Sequence, residues 1–316
     1  MHRAQETRSH SEITLEQSIL RTLLYFDLFQ YPLRSEEIFK FLSTNSITPH
    51  DVDRSLDELT RGGRVYRFGD LFGLSADESV AERRLRGNAM AKRMSAMAHR
   101  RGRFIGAFPF VRAVMASGSF SKGYMDESSD LDFFVVTAPG RLWIARMLIA
   151  LYKRIFLLNR HKYCCCNYFV TEDHLEIEEK NLFTATELAT LVPICGRSVY
   201  DRLMHANLWV SEYFPNFRVT PRGDTPEARR GLFKRVTEVV LAGKAGDKLT
   251  RLFHMLTLRR WKRLYAKRYP NTDFDLAFKS TQSVSKNHPN HFQRRVLERY
   301  DATLRKFLAT TALNEP

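Results

Sequence analysis

The segment that most constrains the fold of this chain is VMASGSFSKGYMDESSDLDFFVV, residues 114–136. It begins with an apolar stretch typical of a buried strand, which ends at a tight turn predicted at Gly118 and Ser119. A second β-forming stretch follows and contains Asp130 and Asp132. Because successive side chains of a strand alternate between its faces, these two carboxylates share one face. The segment therefore predicts two strands, with a glycine turn after the first and a carboxylate pair at the start of the second.

This combination of residues suits the chemistry of phosphates. Two carboxylates at this spacing can hold a hard divalent cation such as Mg²⁺ through oxygen ligands. Gly118 lets a phosphate approach the backbone closely, and Ser119 can hydrogen-bond to a phosphate oxygen. Phosphoryl or nucleotidyl transfer requires such a site, because the metal neutralises the triphosphate charge and aligns the attacking oxygen.

The same residues resemble the signature of the DNA polymerase β-like nucleotidyltransferase superfamily. That signature is a hydrophobic residue, Gly, then Gly or Ser, a gap of about a dozen residues, and Asp-hydrophobic-Asp/Glu-hydrophobic. The resemblance implies transfer of a nucleoside monophosphate from an NTP to an acceptor, with Mg²⁺ or Mn²⁺. It implies that Gly118 and Ser119 hold phosphate and that Asp130 and Asp132 are metal ligands. The acceptor stays open between a small molecule, RNA and protein.

The wider chain also resembles bacterial nucleotidyltransferase domain proteins, in which a winged-helix-like segment precedes the catalytic fold. This likeness covers most of residues 15–220. It is carried by LLYFDLFQYPLRSEEI, GRLWIARML, NYFV, NLFTATEL and ANLWVSEYFPN. The resemblance implies an α+β protein with a central polymerase β-like mixed sheet.

Members of the superfamily usually add a third carboxylate from a neighbouring strand. The next predicted strand, Tyr163–Val170, has Asn167 at its middle and no acid. Glu176 lies between Leu175 and Ile177 in a segment that can extend the sheet, and it is the preferred third catalytic acid. Without such an acid the fold would bind nucleotide and metal but catalyse poorly. The alternative function is a non-catalytic or regulatory nucleic-acid-binding protein that retains the fold.

Two further residues after the turn are candidate phosphate ligands. Lys122 is placed where its cation could reach a β- or γ-phosphate, although an exposed loop lysine would look the same in the sequence. Ser121 is a weaker candidate than Ser119. The residues that follow, Asp126–Ser129, are more typical of a solvated turn.

The rest of the chain divides into four predicted regions. Residues 13–76 predict three short helices and a β-hairpin, which is the winged-helix order. The third helix carries more acids than arginines, which favours packing or partner binding over DNA reading. Residues 77–103 predict an Arg-rich linker helix, either solvated or facing phosphates or RNA. Residues 104–180 are the predicted catalytic core, and residues 181–316 a helical C-terminal region.

Charge and apolar patterning bear on partners and location. The formal net charge of +15 favours a polyanionic partner, so nucleic acid bound through basic surfaces is a further expectation. One such surface is the basic face of residues 251–268. The other face of this segment is predicted to pack in the core through Leu252, Phe253, Leu256 and Trp261. The longest apolar stretch contains three basic residues, which argues against a membrane span and predicts a cytoplasmic protein.

Overall fold

The structure is a computed structural model that describes residues 13–156, 165–219, 225–265, 279–286 and 292–312, and it is a mixed α+β protein. The helices are α1 (Leu15–Asp27), α2 (Ser35–Phe41), α3 (Pro49–Arg61), α4 (Glu78–Gly106), α5 (Gly118–Ser121), α6 (Leu142–Phe156), α7 (Leu182–Thr190), α8 (Arg197–Ala206), α9 (Val210–Tyr213), α10 (Leu232–Val240), α11 (Lys244–Tyr265) and α12 (Phe292–Ala312). The strands are β1 (Leu33–Arg34), β2 (Tyr66–Phe68), β3 (Leu71–Gly73), β4 (Val111–Ser117), β5 (Asp132–Thr137), β6 (Cys165–Thr171), β7 (Val192–Cys195) and β8 (Val284–Lys286). None of the helices in the described ranges combines the length and the apolar composition that a bilayer crossing needs.

The chain forms two compact units. Unit 1 takes its described residues from the stretches up to 84, 209–218 and from 296 onward, and unit 2 takes those of 85–208 and 219–295. In unit 1, α1, α2 and α3 precede the hairpin β2–β3, and β1, between α1 and α2, completes an antiparallel sheet of order β1-β3-β2. The predicted three helices and hairpin are confirmed. The two-residue strand β1 was not predicted, because so short a segment has no alternating pattern.

One arginine of the Arg-rich helix is a core residue of unit 1. Arg84, in the first turns of α4, has only 1% of its side chain exposed. Its guanidinium pairs with Glu37 at 2.8 Å and lies 3.6 Å from the centre of the Tyr31 ring. A guanidinium that is buried away from water needs such partners, because an unpaired buried charge is strongly destabilising. This part of the basic helix is therefore neither a solvated linker nor a phosphate-facing wall.

Unit 2 is built on a mixed sheet whose described strands have the order β7-β4-β5-β6-β8. Strand β4 is antiparallel to β5 and to β7, β5 is parallel to β6, and β6 is antiparallel to β8. Two of these strands, β7 and β8, come from the region after residue 181, which was predicted as helical and in which no strand was predicted. Both are short, and Pro193 interrupts the β-forming pattern of the first.

The predicted extension of the sheet by residues 173–177 is also wrong. Leu175 and Ile177 are buried, as the alternation suggested, but they lie in an irregular segment. The buried amide of Asn207 supplies their backbone partners, donating to the Leu175 carbonyl at 2.7 Å and accepting from the Ile177 N–H at 2.8 Å. A side chain therefore replaces the neighbouring strand that the pattern suggested.

The alternation of side chains along β5 divides it between a core and a pocket. Phe133 and Val135 join the main hydrophobic cluster of unit 2, which includes Trp143 of α6. Asp132 and Phe134 alternate with them and line a pocket on the other face. The predicted separation of Asp132 from Phe133 by strand alternation is confirmed, whereas Asp130 lies before the first residue of β5.

The observed packing of the basic helix α11 agrees only in part with the prediction. Trp261 is buried, and Phe253 packs against the main cluster. Leu252 and Leu256 are each 43% exposed, so the prediction that they are core residues is wrong. Helical periodicity places all four residues on a wide face, and only part of that face meets α6 and its neighbours.

Candidate functional site

The floor of the site is the point where β4 and β5 meet the glycine turn. Ser117, the last residue of β4, pairs with Asp132, the first residue of β5. The next residue, Gly118, has a φ of +64°, which side-chain-bearing residues rarely adopt. A Cβ atom at this position would lie 2.5 Å from the Asp132 Oδ2 atom. Only glycine therefore allows the turn to lie this close to the carboxylate.

Asp132 is the electrostatic centre of this floor. Its Oδ1 atom accepts a hydrogen bond from Asn167 Nδ2 at 2.7 Å. Burial raises the pKa of Asp132 to about 7, with further contributions from the negative charges of Asp130 and Glu187. Lys122 acts in the opposite direction on this pKa. When Asp132 is ionised, its charge is only partly solvated and is repelled by the neighbouring acids. A bound cation would offset both of these unfavourable effects.

Lys122 forms a bridge across the turn. Its Nζ atom donates to the Gly118 carbonyl at 3.1 Å and to Glu187 Oε1 at 2.6 Å. Glu187 belongs to α7 and lines the same pocket as Asp132. Sequence reasoning missed Glu187, because an acid in a helix far along the chain carries no motif that links it to the Asp pair. The predicted contact of Lys122 with phosphate stays a prediction.

We expect Glu187→Gln to lower the pKa of Asp132. The substitution removes a nearby negative charge and the acidic partner of Lys122, and both changes favour ionised Asp132. The carboxyl ¹³C shift of Asp132, followed through a pH titration, measures this pKa directly. Glu176→Gln is the matched control and should leave the titration unchanged. An Asp132 pKa that is unchanged or raised in Glu187→Gln would contradict the assigned electrostatics.

The remaining predicted site residues are placed as follows. Asp130 lies two residues before the first residue of β5 and is near enough for its charge to raise the pKa of Asp132. Ser121 turns back to the glycine turn, where its Oγ atom donates to the Gly118 carbonyl at 2.9 Å. The carbonyl of Ser119 accepts from the backbone N–H groups of Lys122 and Tyr124. The structure therefore brings most of the predicted phosphate-binding residues into one turn beside Asp132.

Glu176, the preferred third acid, is not brought to this pocket. It is 60% exposed, and its carboxylate pairs with Lys180 at 2.7 Å. The strand that neighbours β5 instead presents Asn167 to Asp132. The acids that line the pocket in addition to Asp132 are Glu179 and Glu187.

The loop before the acid pair is organised by Asp126. Its carboxylate accepts hydrogen bonds from the Ser128 N–H, from the Ser128 and Ser129 hydroxyls and from the Tyr124 hydroxyl. The bonds from Ser128 are the main cause that lowers the pKa of Asp126. The carboxylate therefore closes a turn, in agreement with the interpretation of these residues as a loop.

The residues of this floor fit a divalent cation that binds together with a triphosphate. In the described part of the chain, no three His, Cys, Asp or Glu side chains are already grouped as metal ligands. Mg²⁺ commonly binds through one or two carboxylates and takes its other ligands from water and substrate phosphates. Asp130 and Asp132 would supply the carboxylates, and the missing Cβ atom of Gly118 leaves room for the Asp132 carboxylate beside the turn.

The pocket extends from this floor along one face of the sheet. The space between its walls, counted together with its solvent-open mouth, is about 680 Å³. Phe134 and Tyr168, on neighbouring strands, stack at 4.9 Å between ring centres with a 12° angle between their planes. Phe183 of α7 lies on the pocket wall, and Lys286 of β8 lines it as well. The pocket therefore has a polar floor at Asp132 and a largely apolar interior.

Comparison of the chain with protein-family models, with curated proteins and with solved structures found no match. The function of this pocket must therefore be inferred from its own residues.

Proposed function

We propose that unit 2 is a metal-dependent nucleotidyltransferase, which moves a nucleoside monophosphate from an NTP to an acceptor hydroxyl or amine. The observation that carries this proposal is the contact between the glycine turn and the carboxylate pair. Gly118, held at positive φ, lies against Asp132 across the β4–β5 register, with Asp130 close by. The strand order around this contact, with β4 antiparallel and β6 parallel to β5, is compatible with the polymerase β-like fold that the signature implies.

Each residue of the floor has a chemical task in this proposal. Asp130 and Asp132 hold the cation, which supplies charge neutralisation at the triphosphate when it is bound. The Gly118 turn lets phosphate oxygens approach backbone N–H groups without a side chain between them. Lys122 can exchange its bond to Glu187 for a phosphate oxygen, since both partners are anionic. Asn167 fixes the Asp132 carboxylate through its amide.

A test that requires no knowledge of the acceptor uses NTP labelled at the α-phosphorus. The label should appear in a pool of RNA, protein and small-molecule acceptors, with release of pyrophosphate. NTP labelled at the γ-phosphorus should leave the acceptors unlabelled. Transfer of the γ-label would indicate a kinase-type reaction and would contradict the proposal.

The pH dependence of Mg²⁺-dependent NTP binding follows from the electrostatics of Asp132. The cation requires the ionised carboxylate, and the pKa of Asp132 is raised to about 7. We therefore expect affinity to be nearly constant above that pH and to fall roughly tenfold for each pH unit below it. Isothermal titration calorimetry between about pH 5.5 and 8.5 measures this profile. A flat profile across the range would contradict the assignment of Asp132 as a cation ligand.

Binding without transfer is the second candidate function, and one observation favours it. The strand beside β5 presents the neutral amide of Asn167 to Asp132, where a third acid would be expected. A non-catalytic protein would bind nucleic acid with a steep salt dependence that Asp132→Asn leaves unchanged. A transferase would lose its Mg²⁺-dependent binding of NTP in that variant.

The acceptor in this proposal is a macromolecule rather than a small molecule. Unit 1 supports this choice, because the winged-helix arrangement predicted for its helices and hairpin is one that also serves in partner binding. The formal net charge of +15 also favours a polyanionic or acidic partner.

A further inference from the structure

The far wall of the pocket contains a buried lysine that the proposed transfer chemistry does not use. Lys286, on β8, is 6% exposed and lines the pocket. Its ammonium donates to Gln293 Oε1 at 2.7 Å and lies 5.9 Å from the centre of the Tyr168 ring. An ammonium has three N–H donors, so Lys286 can donate to a ligand in addition to Gln293.

A carboxylate lines the same end of the pocket. Glu179 accepts from Lys279 at 3.3 Å and is also hydrogen-bonded to the Tyr168 side chain. Burial lowers the pKa of Lys286, and the negative charge of Glu179 acts against this effect. A carboxylate can accept about four hydrogen bonds, which leaves Glu179 capacity for an N–H group of a ligand. This end of the pocket therefore offers a cationic donor and an anionic acceptor.

The apolar walls of the pocket suit a flat ring. The stacked rings of Phe134 and Tyr168 form one side. The other apolar lining residues are Ile177, Phe183, Leu188 and Leu191. Apolar walls with a few polar groups are typical of sites that bind an aromatic heterocycle.

We propose that this end of the pocket binds the base of the nucleoside triphosphate, and that it selects bases in which a carbonyl oxygen lies beside a ring N–H. Guanine and uracil have this arrangement. Lys286 donates to the carbonyl, and Glu179 accepts from the ring N–H. Adenine and cytosine present an amino group and an unprotonated ring nitrogen instead. The inference rests on the proposed function, because the triphosphate is taken to lie at Asp132.

The energetic reason for this selection is the penalty for unpaired polar groups. With adenine or cytosine, the amino group would face the ammonium and the bare ring nitrogen would face the carboxylate. Buried donors and acceptors without partners are unfavourable, and more so when they are charged. The expected discrimination is therefore at least about tenfold within each matched pair of bases.

The experiment measures Kd for GTP, ATP, UTP and CTP with the full chain in Mg²⁺. We expect GTP to bind at least about tenfold more tightly than ATP, and UTP at least about tenfold more tightly than CTP. Lys286→Met should lower both ratios, and the part that depends on Glu179 and the ring N–H should remain. Binding of inorganic tripolyphosphate, which has no base, should be unchanged in this variant. Lys92→Met, which removes an exposed lysine of α4, is the matched control and should retain both ratios.

If Lys286→Met fails to fold, Glu179→Gln provides the second variant. Its neutral amide offers both a donor and an acceptor, so the discrimination should fall there as well. Equal affinities for all four nucleotides, or ratios that neither variant changes, would overturn the inference. Tripolyphosphate binding that depends on Mg²⁺ and Asp132 would then leave the proposed function standing. Failure of both tripolyphosphate and the nucleotides to bind would reject the proposed function, and this inference with it.

Discussion

Asp132→Asn is expected to reduce nucleotidyl transfer by at least about 10³-fold while leaving the fold intact. The substitution removes one of the two carboxylates that hold the cation. It keeps the size of the side chain and a carbonyl oxygen that can still accept from Asn167. Transfer of label from α-labelled NTP and Mg²⁺-dependent NTP binding should both be lost. The far-ultraviolet circular dichroism should match that of the unmodified protein.

Glu176→Gln is the matched control for this experiment. Glu176 is an exposed acid whose carboxylate pairs with Lys180, away from the pocket. Its neutralisation should leave transfer within about twofold of the unmodified protein, because exposed ion pairs contribute little. Loss of transfer in Glu176→Gln together with normal transfer in Asp132→Asn would reverse the assignment made here.

Asp132→Asn should also stabilise the protein when no divalent cation is present. A carboxyl whose pKa is raised on folding favours the unfolded state once it ionises. For Asp132 this destabilisation is absent below the unfolded pKa and complete above the folded pKa of about 7. We expect Asp132→Asn to raise the free energy of unfolding by on the order of 1–4 kcal/mol at alkaline pH. Urea denaturation should show the difference disappearing as the pH falls towards about 4.

Gly118→Ala is the second substitution with a large expected effect. The new Cβ atom would meet Asp132 Oδ2 at 2.5 Å, and the residue would keep a φ of +64°. Displacement of the carboxylate should lower transfer by about 10²-fold, since small misplacements of reacting groups have effects of that size. The backbone conformation adds a destabilisation of roughly 1–3 kcal/mol.

The effect of Gly118→Ala on the site can be separated from its effect on the backbone. Gly140 also has a φ of +64°, but a Cβ atom there would meet nothing within 4 Å. Gly140→Ala should therefore destabilise the protein through the backbone alone and retain transfer. Equal losses of transfer in the two variants would show that the contact with Asp132 does not matter.

The local features of the site could be predicted from the sequence because they depend on neighbouring residues. Alternation along β5 was enough to separate Asp132 from the buried Phe133. The glycine requirement at Gly118 was predicted from the motif, and the structure adds its physical reason, the approach of Asp132. The helices and hairpin of unit 1 were predicted for the same reason, from periodicity and turn residues.

The opposite wall of the pocket could not be predicted, because it is assembled from distant parts of the chain. Glu187 approaches the floor only because α7 lies beside the pocket. Lys286 lies in a strand of three residues, which is too short for a pattern. Glu176 was predicted as the third acid because it alternates with the apolar Leu175 and Ile177, as in a strand. The backbone groups of these two residues bond to the side chain of Asn207 instead of to a neighbouring strand.

The most direct test of the central claim is a crystal structure with Mn²⁺ and an NTP analogue that has a methylene group between the α- and β-phosphorus atoms. If Asp130 and Asp132 hold the cation, we expect an anomalous Mn²⁺ peak within about 2.0–2.4 Å of their carboxylate oxygens, with the triphosphate against the turn at Gly118. Mn²⁺ and triphosphate bound elsewhere, with both carboxylates uncoordinated, would contradict it.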